Sequence, residues 1–162
     1  MKTKNQTTSR SILRMLFIAA LFMFAAGTAN AQNKETTMQD IYEKGLEIVK
    51  MLEEQYNQEI VRIEYDLLFD SKETTRGFSS NYEYSVIAFS DFRVEDLDIT
   101  IFRKSGSSWE QVVKDTETDN TPIVSFKPDG SSTYKIEVKA YKFAEGYSAA
   151  HYGLIIYHDI PE

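Results

Sequence analysis

Residues 96–102 read DLDITIF, and residues 133–143 read TYKIEVKAYKF. In both stretches apolar and polar side chains alternate with a period of two, which is typical of a β-strand that buries one face. The opposite face of each strand is polar and is expected to meet solvent. The apolar positions are the predicted core, and they are Leu97, Ile99, Ile101, Tyr134, Ile136, Val138 and Ala140.

Similar short runs surround these two stretches, with turn-forming residues between them. We predict strands at Val61–Phe69, Tyr82–Phe89, Leu97–Phe102, Ser108–Lys114, Ile123–Phe126, Thr133–Phe143 and Ala150–His158, and a weaker one at 73–79. Seven or eight short strands with no helices between them predict a mainly all-β fold, an antiparallel sandwich or a barrel.

One amphipathic α-helix is predicted before the strands, over about residues 37–57. Thr36 and Gln39 have the spacing of a capping box at its start. The apolar stripe of the helix has to be buried, either on its own sandwich or on a partner protein. The residues of the stripe are Ile41, Tyr42, Gly45, Ile48, Val49, Leu52 and Tyr56.

Residues 1–31 have the pattern of a cleavable secretory signal. A basic front precedes an apolar run at 15–26, and Ala29 and Ala31 supply the small side chains that signal peptidase requires. The run is too short for a membrane span, which takes roughly 20 residues, so we expect no membrane anchor after cleavage. The basic residues of the front are Lys2, Lys4, Arg10 and Arg14.

Composition narrows the class of protein further. The chain has 18 Lys and Arg against 25 Asp and Glu, and loss of the signal would leave 14 against 25, a net charge near −11. Such an acidic surface argues against a nucleic-acid partner. The absence of Cys excludes disulfides and the lipid anchor of bacterial lipoproteins. We therefore expect a periplasmic or secreted protein with a signal at 1–31, a leader and helix at 32–59, and a β-sandwich at 60–162.

Four short blocks resemble the bacterial pre-peptidase C-terminal domain. Residues 96–102 are similar to its D-x-D-[LI]-x-[VIL]-[YF] strand, and residues 119–126 (DNTPIVSF) to its x-N-x-P-x-V-x-F segment. Residues 132–138 (STYKIEV) resemble its G-T-Y-x-I-x-V strand, and residues 146–148 (GYS) the start of its G-x-Y-x-L close. The resemblance, over about residues 60–158, implies a jelly-roll-like β-sandwich, which in that family is an accessory module of exported enzymes.

The resemblance also raises a candidate cation site, since some domains of that family carry Ca²⁺. Asp96, Asp98 and Asp119 could supply oxygen ligands to such an ion. The sequence contains no D-x-D-x-D-G loop, however, and the same carboxylates fit a solvated acidic edge that discourages pairing with other sheets. We expect no other cofactor.

Aromatic residues are the candidate ligand contacts, because exposed rings on a sandwich can stack on sugars or partner side chains. We single out Trp109, Tyr141, Phe143 and Tyr152. Tyr141 and Phe143 are in phase with the polar positions of their strand. They are expected either to contact the helix stripe or to form an exposed binding patch.

Catalytic signals are weak in this sequence. His151 and His158 lie seven positions apart on one predicted strand, so they fall on opposite faces and cannot act as a pair, and His158 is expected in a surface pair with Asp159. The chain has neither a G-x-S-x-G elbow nor a cysteine. We expect a non-catalytic exported module that binds a protein, peptide or glycan. The alternatives are a structural or docking component of a periplasmic or cell-surface assembly, and a hydrolase that uses His151.

Overall fold

The structure, a computed structural model, describes residues 38–130 and 132–160. The predicted signal and the Thr36 end of the capping box lie outside the described residues. The described chain forms one helix and eight strands. They are α1 (Met38–Tyr56), β1 (Gln58–Leu68), β2 (Ser71–Gly77), β3 (Tyr84–Ser90), β4 (Val94–Ser105), β5 (Ser108–Lys114), β6 (Ile123–Phe126), β7 (Thr133–Phe143) and β8 (Ala150–Asp159).

The strands form two separate four-stranded antiparallel sheets, ordered β1-β8-β3-β6 and β2-β7-β4-β5. This arrangement confirms the predicted mainly all-β sandwich and excludes a closed barrel among the described strands. Strands β5, β6 and β7 have the predicted bounds, and the weak candidate at 73–79 is a real strand, β2.

The core lies between the two sheets. All seven predicted core positions of β4 and β7 are buried there. The other sheet contributes Val86, Ala88, Leu154 and Ile156 from β3 and β8 to the same cluster. At about 1.5–3 kcal/mol for each buried aliphatic side chain, this cluster is the main source of stability of the sandwich.

Helix α1 packs on the outer face of the β1-β8-β3 sheet through Ile41, Gly45, Ile48 and Leu52, all of which are buried. The contact is close, because a Cβ atom at Gly45 would overlap the Tyr65 hydroxyl and touch the ring of Phe89. Four of the seven residues of the predicted stripe are therefore buried on their own sandwich, whereas Tyr42 is 55% exposed. Strand β7 belongs to the other sheet, so the expected contact of Tyr141 and Phe143 with the helix is wrong.

The apolar side chains of Ile63 and Tyr65 on β1 face the helix rather than the sandwich core. Ile63 and Tyr65 share the outer face with β8 residues beneath α1, while Glu64 faces β2 and accepts a hydrogen bond from Thr74 Oγ1 at 3.1 Å. Asp66 is likewise paired with Lys72 of β2. Both strands are sheet edges, so their charges can be placed where the two sheets open to water.

Within the described residues, the single helix is not apolar enough over a sufficient length to cross a membrane.

Candidate binding face

The outward face of the β2-β7-β4-β5 sheet presents three aromatic side chains. Phe102 pairs across the strands with Gln111 and Lys135, and Trp109 pairs with Lys104, so these residues share one face of the sheet. Tyr141 lies on the same face beside Lys139 and is 58% exposed. Trp109 and Tyr141, two of the predicted ligand contacts, are thus on one surface, together with a third ring that we did not predict.

A depression of about 210 Å³ lies between these strands. Its walls combine two rings with hydroxyl, amide, carboxylate and ammonium groups, which are the partners that a polar ligand with an apolar side would need. The lining residues are Asp98, Thr100, Phe102, Gln111, Lys114, Glu137, Lys139 and Tyr141.

The depression holds an ion pair whose carboxylate is buried and whose lysine is partly exposed. Asp98 is only 6% exposed, although it points away from the sandwich core, and Lys114 Nζ lies 2.9 Å from its Oδ2. The hydrogen bond to Asp98 raises the pKa of Lys114, so the ammonium is held in its charged form. Lys114 therefore supplies the opposite charge that a buried carboxylate requires.

Lysine side chains lie over the rings of this face. Lys114 Nζ is 4.7 Å and Lys139 Nζ 5.2 Å from the centroid of Tyr141. Lys135 Nζ is 4.6 Å from the centroid of Phe102 and 5.6 Å from that of Trp109. Each such contact contributes about 0.5–1 kcal/mol at an exposed site, enough to restrict the orientation of both the ring and the lysine.

A β-bulge at Tyr141 changes the direction of the residues that follow it on β7. In the pairing of β4 with β7, Leu97 lies opposite Ala140 and Asp96 lies opposite Lys142, so Tyr141 is an extra residue without a partner across the strands. Bulges re-aim side chains at the edges of sheets and beside sites. The register shifts again after Asp96, and Phe143 packs against the core instead of joining the binding face. Phe143 as a surface ligand contact is therefore corrected.

Tyr152 is also corrected as a surface contact. It is 1% exposed and lies in the core with Ala150, Leu154 and Ile156, the inward positions of β8. Burial raises the pKa of its hydroxyl. The prediction failed because β8 is covered on both faces, by the core on one side and α1 on the other, so its apolar residues do not alternate.

The three carboxylates of the predicted cation site lie close to one another at the edge of β4. The Leu97 amide donates to the Asp119 carbonyl at 2.7 Å, which holds the 119–121 loop beside the strand. Burial, together with the neighbouring Asp98 and Asp119, raises the pKa of Asp96. Burial and Asp119 also raise the pKa of nearby Asp115 to about 6.

Other partners already engage two of these carboxylates. Lys114 pairs with Asp98, and the Asp119 Oδ1 accepts the Thr121 amide at 2.7 Å. Over residues 38–130 and 132–160, no group of three or more His, Asp or Glu has the geometry to hold a metal ion. The Ca²⁺ site stays a prediction, and these contacts argue against it.

His151 belongs to a buried polar cluster that ties the β3–β4 turn to β8. Asp91 accepts hydrogen bonds from the Arg93 side chain, at 3.0 Å from Nε and 2.5 Å from Nη2, and from the His151 amide at 3.0 Å. Arg93 Nη2 lies 3.1 Å from His151 Nδ1. Because a guanidinium can only donate, Nδ1 is the acceptor and the imidazole is held as a structural partner.

His158 is not part of a surface pair. It is 7% exposed, its Nδ1 lies 2.8 Å from the Asp159 carbonyl oxygen, and its ring stacks on Tyr82 with centroids 4.1 Å apart. The expected surface location was wrong because β8 is a central strand, with β1 on one side and β3 on the other.

Several residues of the binding face escaped the sequence analysis: Phe102, Gln111, Lys114, Lys135, Glu137 and Lys139. A signal for Phe102 was available, since it is out of phase with Leu97, Ile99 and Ile101. No comparable signal existed for the lysines, because outward lysines are ordinary on an exposed sheet.

Known proteins resemble the chain only in fold. No family model and no curated protein matches the sequence. Among solved structures, the chain is similar to a mitogen from Yersinia pseudotuberculosis, with 16% identity over 64% of this chain and 90% of that one, and a TM-score of 0.43. It is similar to the pre-peptidase C-terminal domain of collagenase from Bacillus anthracis, with 10% identity over 59% and 87% of the chains and a TM-score of 0.46. A periplasmic inhibitor of g-type lysozyme, PliG from Aeromonas hydrophila, has 11% identity over 63% and 86% of the chains, and a TM-score of 0.36.

Proposed function

We propose that this protein is an exported, non-catalytic module that binds a glycan on the outward face of the β2-β7-β4-β5 sheet. The depression beside Phe102 and Tyr141 carries the proposal. A sugar ring offers C–H groups on its faces and hydroxyls at its rim. Aromatic faces match the first, and the hydroxyl, amide and carboxylate groups of Thr100, Gln111 and Glu137 match the second.

The size of the depression suits one ring of a longer chain. Its volume of about 210 Å³ is below the roughly 300–1,000 Å³ of pockets that enclose a drug-sized ligand. Trp109 lies further along the same face, so a chain that occupies the depression would run over a third aromatic contact after Phe102 and Tyr141. Export is supported by the signal pattern of residues 1–31, and a non-catalytic role by the structural position of His151.

The test is binding of the purified protein to a panel of polysaccharides. We expect Tyr141→Ala and Trp109→Ala each to weaken binding about tenfold or more, the effect of losing one stacking contact of about 1–3 kcal/mol. Tyr147→Ala is the matched control, since Tyr147 is an exposed loop tyrosine that packs against Phe92 and does not line the depression. The proposal is refuted if the protein binds none of the polysaccharides, or if Tyr147→Ala weakens binding as much as the other two variants do.

A docking component of a larger assembly is the second candidate. Its support is an exposed apolar strip formed by Tyr42 and Leu46 of α1 and Ile63 of β1. A double variant, Tyr42→Ser with Leu46→Ser, would release the protein from its assembly if this candidate is correct, and would leave glycan binding unchanged if the first is correct.

A further inference from the structure

We infer that the glycan is acidic and that its carboxylates pair with lysines of the binding face; this inference rests on the proposed function. The face carries four lysines, Lys104, Lys114, Lys135 and Lys139. Carboxylates of the protein already neutralise two of them. Lys114 is paired with Asp98 at 2.9 Å, and Lys135 with Glu73 at 2.6 Å.

The remaining two lysines lie beside rings, and Lys139 is also the cross-strand neighbour of Asp98, the carboxylate that pairs with Lys114. Lys139 Nζ lies 5.2 Å from the centroid of Tyr141, and Lys104 Nζ lies 5.9 Å from that of Trp109. Across the described residues, neither lysine has an ion pair with a carboxylate. Tyr141 and Trp109 therefore each have a lysine beside them that has no ion pair and can meet an anion.

A sugar that stacks on a ring of this face also lies beside a lysine. A sugar ring that stacks on Tyr141 puts its substituents beside Lys139 and Lys114, and a carboxylate on that ring would form a charge-assisted hydrogen bond. Glu137 lines the same depression without an ion pair, and it can accept hydrogen bonds from sugar hydroxyls. The face thus distinguishes the acid group of a uronic acid from its hydroxyls.

The two free lysines are far apart along the strands. Lys104 lies opposite Thr133, because its neighbour Arg103 pairs with Tyr134 in the antiparallel register. Thr133 and Lys139 are six positions apart along β7. At about 3.3 Å for each residue, this is roughly 20 Å. One sugar cannot reach both lysines, whereas a polymer with repeated carboxylates can, and the second contact then adds to the first.

The charge of the whole protein makes this a selective arrangement. With a net charge of −7 the chain repels polyanions in general, so an acidic polymer would be held only where cations are concentrated. Binding should therefore depend on individual lysines, and it should weaken as salt screens the attraction.

The experiment compares polygalacturonate with highly methyl-esterified pectin, which has the same backbone with most of its carboxylates masked. We expect the acidic form to bind about tenfold or more tightly, the effect of at least one charge-assisted hydrogen bond. Lys139→Gln should remove this preference, and Lys104→Gln should reduce it. Lys50→Gln, which changes an exposed lysine on α1, is the matched control and should have no effect. Melting temperatures of the variants verify that they are folded.

The outcomes separate the two proposals. Equal binding of both polymers that is insensitive to Lys139→Gln would overturn the acidic ligand and leave a glycan-binding face. If the protein binds none of the polysaccharides in the panel, both proposals are overturned. Binding of polygalacturonate that survives Tyr141→Ala but disappears at high salt would show non-specific attraction, and it would also overturn the inference.

Discussion

Lys44 gives the sharpest test of how α1 sits on the sandwich. Lys44 lies on α1, and its ammonium reaches the end of β3 at Ser90 and the loop that contains Thr121. Its Nζ donates to Thr121 Oγ1 at 3.1 Å, lies 3.5 Å from the Ser90 carbonyl oxygen, and is 5.7 Å from the centroid of Phe89. Burial lowers the pKa of Lys44 from 10.5 to about 8, although Asp119 and Asp91 act in the opposite direction.

This lowered pKa predicts a stability that rises with pH. Below pH 8 the folded state holds a charged Lys44 at a cost of about 3 kcal/mol, because one pKa unit corresponds to about 1.4 kcal/mol. The cost is relieved as the pH rises from 8 toward 10.5, where the unfolded chain also loses the proton. From pH 7 to about pH 9.5 the free energy of unfolding should increase by about 2 kcal/mol.

Urea denaturation at pH 7 and at about pH 9.5 measures this increase. Measurements stop below about pH 10, because burial raises the pKa of Tyr65 and Tyr152, and their ionisation in the unfolded chain then lowers stability. We expect Lys44→Met to abolish the increase and to stabilise the protein at pH 7, and we expect Lys50→Met to behave as wild type. A wild-type stability that is flat or falling over this range, and unchanged by Lys44→Met, would refute the docked position of the helix.

Three further predictions concern Gly45, Asp115 and the candidate Ca²⁺ site. Gly45→Ala should destabilise the protein by about 1–3 kcal/mol in urea titrations, because the new Cβ overlaps the Tyr65 hydroxyl. Gly77→Ala is the control, since its new Cβ meets nothing. A gain in stability from Gly45→Ala would mean that the helix is undocked, since alanine favours a free helix. The pKa of Asp115 is raised to about 6, so melting temperatures should rise from pH 7 to about pH 5, and Asp115→Asn should stabilise at pH 7 and remove that rise. Calorimetry with millimolar Ca²⁺ should give no heat, because a lysine already neutralises Asp98, and a saturable signal with a raised melting temperature would contradict this.

Strand positions were predictable where a strand alternates locally. In β4 and β7 one face meets the core and the other meets solvent, so the period of two appears directly in the sequence. Strand β8 has no such contrast because both of its faces are covered, and Tyr152 was misplaced for that reason. Whether the stripe of α1 met its own sandwich or a partner could not be decided from the helix alone.

The binding face was only partly predictable. Trp109 and Tyr141 were recognised as candidates, but their common surface depends on the order of strands in the sheet, which no local pattern encodes. The burial of Phe143 depends on two register shifts between β4 and β7. Such shifts arise from the pairing of strands that are distant in sequence, and the lysines of the face have no local signal at all.

The central position of β8 constrains when the protein can fold. Strands β1 and β3 are not neighbours, and each pairs with β8 between them. The sheet beneath α1 cannot close until residues 150–159 have been synthesised, because every earlier intermediate lacks the strand that joins its two halves. Until then the facing edges of β1 and β3 lack their hydrogen-bonding partner and are open to pairing with other chains.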